Sequence, residues 1–207
     1  MLIIVRHGRT AANANGLLQG RVDNPLDAQG LRQAELIGNA LGPIDVVVSS
    51  PLQRAIQTAE PLGLPCQVDE RWIELDYGKW DEKPVSEITK EEWARWRSDS
   101  SFTPPGGESL VELDRRVAQA CEDLLPEAER LNIAVFTHVS PIKSAVSWVL
   151  GVEKQISWNL NVAQAQITRI AIREGRPAVV SFNETGHLYD RYEAVDMPLG
   201  RCFPSPW

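Results

Sequence analysis

Cysteine is scarce in this 207-residue chain, and the few cysteines do not cluster. Cys66, Cys121 and Cys202 are odd in number, lie far apart and show neither CxxC nor Cys/His spacing, which argues against a disulfide framework and a zinc site. No apolar run approaches the ~18 residues of a membrane span, and the first strand-like run starts at Leu2, leaving no room for a signal peptide. A cytoplasmic protein with no membrane partner is the expectation. Positive charge is also in short supply, with 21 Lys and Arg against 28 Asp and Glu for a net charge of −7. Such a surface repels nucleic acid, so an anion must be met in a local basic pocket. Internal repeats and low-complexity tracts are absent, and a 43% hydrophobic composition is that of an ordinary globular protein. The length suits one domain, 1–207.

What the chain does have is a series of short apolar runs. LIIV (2–5), IDVVVSS (44–50), PCQVD (65–69), NIAVFT (132–137), AQITRIAI (165–172) and PAVVSF (177–182) mostly lack alternation, as strands covered on both faces do. Between them, DAQGLRQAELIGNAL and SPLQRAIQTAEPL carry helical spacing, and further helices are predicted over roughly 108–130 and over 140–150. Ser50-Pro51 and Ser140-Pro141 read as helix starts. The alternation predicts an α/β fold, a three-layer sandwich with a mostly parallel central sheet flanked by helices. Residues 70–107 interrupt it with a polar, Trp-bearing stretch that reads as a lid-like insertion, and the tail from about 184 reads as loosely structured.

Three strands end in reactive groups: LIIV in Arg6-His7-Gly8, VVVSS in a segment carrying Arg54, and IAVFT in His138-Val139-Ser140. Ligands of open α/β sheets bind beyond the carboxyl ends of the strands, so two His and two Arg are brought to one place, with helix N-termini as further anion donors. That set describes a phosphate cradle, in which a guanidinium fork matches phosphate oxygens and a neutral imidazole is a nucleophile towards phosphorus. Phosphoryl transfer to histidine also needs a proton donor for the departing alkoxide, and ELDYG offers Glu74 beside the apolar Trp72-Ile73. Tyr77 either reaches substrate or packs. Trp93 and Trp96, three apart on an expected helix, either wall a substrate site or anchor the insertion.

RHGRTAAN (6–13), QGRVDNPLDAQGLRQA (19–34), SSPLQRAIQTA (49–59), ELDYGKW (74–80), PPGGES (104–109), FTHVSPIK (136–143) and FNETGHL (182–188) resemble, in order, the motifs of the histidine phosphatase superfamily, which includes the cofactor-dependent phosphoglycerate mutases. The resemblance implies a phosphoglycerate mutase-like fold, His7 as phosphorylated nucleophile, Arg6, Arg54 and His138 as holders of the phosphoryl group, and Glu74 as proton donor. It also implies Asn13 as a phosphate ligand and Gln19-Gly20 at the substrate entrance, with no metal and no cofactor. Val139 stands where the family often has glycine, beside the substrate, and Trp80-Asp81-Glu82 replaces the usual Trp-Glu-Gly. The mutase stretch Gly-Asn-Ser-Leu-Arg is absent after the second His. The expected function is therefore a phosphomonoesterase acting on a small phosphorylated metabolite, with a phosphoglycerate mutase as the alternative and a catalytically silent phospho-ligand sensor behind it. A homodimer is left open.

Overall fold

Six apolar runs become one sheet whose middle strands, 2–6, 46–49 and 133–137, are mostly buried, whereas the edge strand 66–68 is exposed and the other edge, 176–184, is exposed to half-buried. The computed structural model describes residues 1–152 and 158–189. Strands β1 (Leu2–Arg6), β2 (Val46–Ser49), β3 (Cys66–Val68), β4 (Ile133–Thr137), β5 (Ile167–Arg173) and β6 (Arg176–Glu184) lie in the order β3-β2-β4-β1-β5-β6. The β3-β2, β2-β4 and β4-β1 pairs are parallel, whereas β5 runs antiparallel to β1 and β6. The mostly parallel α/β sandwich expected from the sequence is what forms.

The helices are α1 (Ala11–Ala14), α2 (Ala28–Ala40), α3 (Gln53–Ala59), α4 (Lys90–Ser98), α5 (Leu110–Ala128) and α6 (Val139–Leu150). Strand β1 shows why its run does not alternate. Leu2 and Ile4 pack in one core with Leu113 and Val117 of α5 and Ile142 of α6, while Ile3 and Val5 pack in another with Ile37 of α2 and Ala55 of α3. Each such buried side chain contributes about 1.5–3 kcal/mol as an upper bound.

Local signals start the long helices. Asp27 accepts from Gly30 N–H at the head of α2, and Ser109 and Glu112 form a capping box at α5. The loop after β1 then docks on α2 through two glycines. A Cβ on Gly8 would lie 2.5 Å from Gly30 O, and one on Gly30 would lie 2.0 Å from Arg9 O. Only bare backbone allows that approach.

Residues 70–107 form short turns and α4, and their Trp72, Trp80 and Trp96 are buried in the same core as α5 and α6. The segment from 184 begins as the end of β6 and a turn at Gly186–Leu188, where His187 Nε2 donates to Ala165 O (3.0 Å). Residues 190–207, the rest of the tail, lie outside the described residues. Among the described residues no helix is long and apolar enough to cross a membrane.

Candidate active site

Because β4 lies between β1 and β2 and is parallel to both, all three strands deliver their last residues to one edge. The residues just past the strands stay tied to β4: His7 N–H donates to Thr137 O (3.0 Å) and Ser50 N–H to Phe136 O (2.9 Å). His7 and His138 thus meet with ring centroids 5.1 Å apart, both almost wholly buried.

Their partners decide where the protons sit. His7 Nδ1 is 2.7 Å from Gly8 O, which only accepts, so Nδ1 carries the hydrogen and the Nε2 lone pair is free. Arg54 Nε–H donates to His138 Nδ1 (3.2 Å), so the neutral ring of His138 carries its hydrogen on Nε2 and donates to Ser50 Oγ (2.7 Å). Burial, and then the charges of Arg54 and Arg6, hold the pKa of His7 well below the usual histidine value. Burial, Arg54, His7 and Arg6 do the same to His138. Both rings are neutral at pH 7.

The two arginines are cations held without a carboxylate at contact distance among the described ion pairs. Burial lowers each pKa to about 10, with Glu74 as the main opposing charge, and at neutral pH both stay protonated. Arg54 is 1% exposed, and besides His138 it donates to Val22 O (2.6 Å) and Gly20 O (2.7 Å). Of the five N–H groups of a guanidinium, these contacts leave two. Arg6 donates to Val162 O (2.6 Å), and its buried Nε has no hydrogen-bond partner. A buried donor on a cation is costly to leave unmet.

Glu74 is brought in by Thr137 Oγ1, which donates to Trp72 O (2.5 Å) and pins the turn before it. Its carboxylate, 6% exposed, accepts from the backbone N–H groups of Val139 (3.1 Å), Ser140 (3.1 Å) and Leu75 (2.7 Å). This corrects the expectation that helix N-termini bind the incoming anion. The first turn of α6 serves Glu74, and at α3 the Gln53 N–H donates to Asp23 Oδ1 (2.7 Å). The helix starts shift as well. Leu52 caps α3 without a side-chain bond, since the Ser50 hydroxyl faces His138, and His138 itself is the N-cap of α6.

The expected substrate-side residues are placed as follows. Asn13 Oδ1 accepts from Thr10 in a capping box at α1, and Gln19 Oε1 accepts from Thr10 Oγ1 (2.8 Å), so both line the loop after His7. Gly20 presents its carbonyl to Arg54, and its Cα lies against Asp81, whose carboxyl burial lifts to about 6. The Tyr77 hydroxyl lies 3.4 Å from Ser140 Oγ, and burial raises its pKa. Sequence reasoning gave Ser50 only a helix-start role and passed over Lys143 and Thr58, which accepts from Gly8 N–H (3.0 Å). For Lys143 a signal existed, a lone cation in the apolar run SPIKSAVSWVL. Among the described residues no group of three or more His, Cys, Asp and Glu is arranged to hold a metal ion.

Neutral, buried histidines have a stability consequence. With folded pKa values below the unfolded value of ~6.5, the unfolded chain takes up protons that the folded chain does not as pH falls through 6.5, so stability drops on the acid side. Asp81, raised to about 6, acts in the opposite sense but is one group against three, since burial also lowers the pKa of His187. Urea midpoints measured without phosphate are expected to be lower at pH 5.5 than at pH 7.5. Equal midpoints would mean that the folded rings accept protons.

Comparison with known proteins yields a consistent set. A family model described as the histidine phosphatase superfamily (branch 1) matches residues 2–185. Phosphoserine phosphatase 1 of Hydrogenobacter thermophilus is 31% identical over 201 residues, 92% of this chain and 95% of that protein. A crystal structure of a phosphoserine phosphatase mutant from Entamoeba histolytica with phosphoserine superposes with a TM-score of 0.85 at 28% identity, covering 91% of this chain and 98% of that one. A bifunctional protein of Mycobacterium tuberculosis is 32% identical over 198 residues, 90% of this chain, but the chain spans only about half (54%) of that relative's length.

Proposed function

The chain belongs to the histidine phosphatase superfamily, branch 1, and we propose that it is a phosphomonoesterase that hydrolyses a small phosphorylated metabolite, a sugar phosphate or phosphoglycerate-type ester, through a phosphohistidine on His7. The observation that carries this reading is the pair of buried guanidinium groups, one with an unmet Nε, set around a neutral imidazole whose Nε2 lone pair is free. Relatives named for phosphoserine support it.

In this mechanism the phosphoryl group enters between Arg6, Arg54 and His138. The charges of both arginines neutralise its equatorial oxygens without rearrangement, and such preorganised charge supplies most of the rate enhancement in phosphoryl transfer. His7 Nε2 attacks phosphorus in line, and Gly8 O, accepting from Nδ1–H, stabilises the charge that develops on the ring. The bond from phosphorus to the alcohol oxygen breaks as Glu74, carrying a proton at that moment, protonates the departing oxygen. The alcohol leaves. Glu74, now a carboxylate, takes a proton from water as that water attacks phosphorus, releasing phosphate and restoring His7. Asn13 is a further phosphate ligand and Gln19 and Gly20 line the entrance in this reading.

The test is phosphate release from phosphoserine, 3-phosphoglycerate and sugar phosphates, in chelator and without added bisphosphate. Free phosphate from at least one ester is expected. Conversion of 3-phosphoglycerate to its 2-isomer without phosphate release would make the protein a mutase, and neither reaction with any ester would leave only a phospho-ligand sensor.

A further inference from the structure

The nucleophile end of the site leans on a short loop. His7 O accepts from Ala165 N–H (3.3 Å), Arg6 N–H donates to Gln166 O (3.1 Å), and the Arg6 guanidinium donates to Val162 O (2.6 Å). Residues 162–166, which lead into β5, therefore hold the backbone of Arg6 and His7 and the Arg6 charge as well. A shift of this loop moves the nucleophile.

The loop is kept in a costly shape. Ala165, wholly buried, has a φ of +57°, a left-handed conformation that glycine adopts freely and alanine does not. Such backbone persists only where its surroundings over-determine it. Two side chains, from the end of β6 and the turn after it, do so here. His187 Nε2–H donates to Ala165 O (3.0 Å), and Asn183 Oδ1 accepts from Ala163 N–H (2.7 Å). Ala165 is thus gripped at both of its polar groups, by His7 at the N–H and by His187 at the oxygen. The aim of Asn183 comes from a bulge. Ile167 pairs with Glu184 and Arg169 with Ser181, so β6 carries one residue more than β5 at this point, and Asn183 takes a φ of +60°. Among the described hydrogen bonds, both side chains bond to the loop and not to Arg6, His7, Arg54 or His138.

We infer that His187 and Asn183 are positioning residues for phosphoryl transfer, acting through residues 162–166 to keep His7 in line with phosphorus and Arg6 on the phosphoryl oxygens. The inference rests on the phosphomonoesterase reading. A packing role would be met by any ring of that size at 187, whereas this role needs a donor where Nε2 stands.

The experiment is a single turnover with enzyme in saturating excess over ³²P-labelled para-nitrophenyl phosphate, whose phenolate departs without help from Glu74. The rate constant for label appearing on the chain is read, and because it is a rate constant and not an amplitude, it is independent of how much of a variant is folded. In His187→Phe, which keeps a ring and loses the donor, it is expected to fall by about 10²-fold, the order that a 1 Å misplacement costs. His187→Gln, whose amide N–H can reach Ala165 O, should restore most of the rate. Asn183→Gly keeps the left-handed backbone and loses the acceptor, and should lower the rate by about tenfold, the order of one hydrogen bond. Should His187→Phe fail to fold, Asn183→Gly decides alone. Rate constants unchanged in the variants that fold, with only smaller amplitudes, would overturn the inference and leave the phosphatase reading in place. A loss in His187→Phe that His187→Gln does not restore would overturn it too. Wild type that takes up no label would remove both.

Discussion

His7→Ala is expected to lower phosphate release by on the order of 10⁴-fold or more and to abolish the phosphoenzyme. The size follows from the site. With the imidazole gone, both arginines still bind the phosphoryl group, but no nucleophile is held in line with it. The arginines should even gain room for an anion, so phosphate binding is expected to persist while turnover does not. Rapid quench with a ³²P-labelled ester checks both: acid-labile, alkali-stable label on the wild-type chain, and none on the variant. Labelled variant would move the nucleophile elsewhere. His138, which already gives Nδ1 to Arg54 and Nε2 to Ser50, is the wrong replacement.

Glu74→Gln carries the second large effect, and its signature is selectivity. A positioned general acid contributes about 10²–10⁴-fold when the leaving alkoxide is a poor one. kcat/KM for phosphoserine or a sugar phosphate should fall by that order, and kcat/KM for para-nitrophenyl phosphate, whose phenolate departs unaided, should change little. The phosphoenzyme should then accumulate, since the same carboxylate activates water in the second step. The amide keeps one acceptor oxygen for the three N–H groups that now hold the carboxylate, so folding should survive with some loss of stability. Equal losses for both leaving groups would remove Glu74 from the acid role.

Much of this fold was legible in the residues. All six apolar runs contain strands, and the buried ones, β1, β2 and β4, are unalternating because they are covered on both faces. The starts of α3 and α6 were misplaced for a specific reason. Ser50 reads as a helix cap, but its hydroxyl is taken by His138, 88 positions away, so the helix begins at Gln53 instead. Arg9 is in an ion pair with Asp27 (2.7 Å), a partner 18 positions away. Asp23, exposed at the surface, accepts from the Gln53 N–H, 30 positions away. For Lys143 the residues show a cation in an apolar helix but not what it faces, which depends on segments packed against α6 only in the fold.

The order of the chain settles which residue types stand at the strand ends: Arg6 and His7 after β1, His138 after β4, Arg54 in the first turn of α3. It also settles the caps at Asp27, Thr89 and Ser109, each made within three residues. Proton positions and charge states are another matter. The tautomer of His138 depends on Arg54, the setting of Glu74 on the first turn of α6, and the surroundings of Lys143 on aromatic residues from a separate stretch of the chain. These are contacts between segments tens of residues apart, and desolvation and neighbouring charge act only once folding has brought them together.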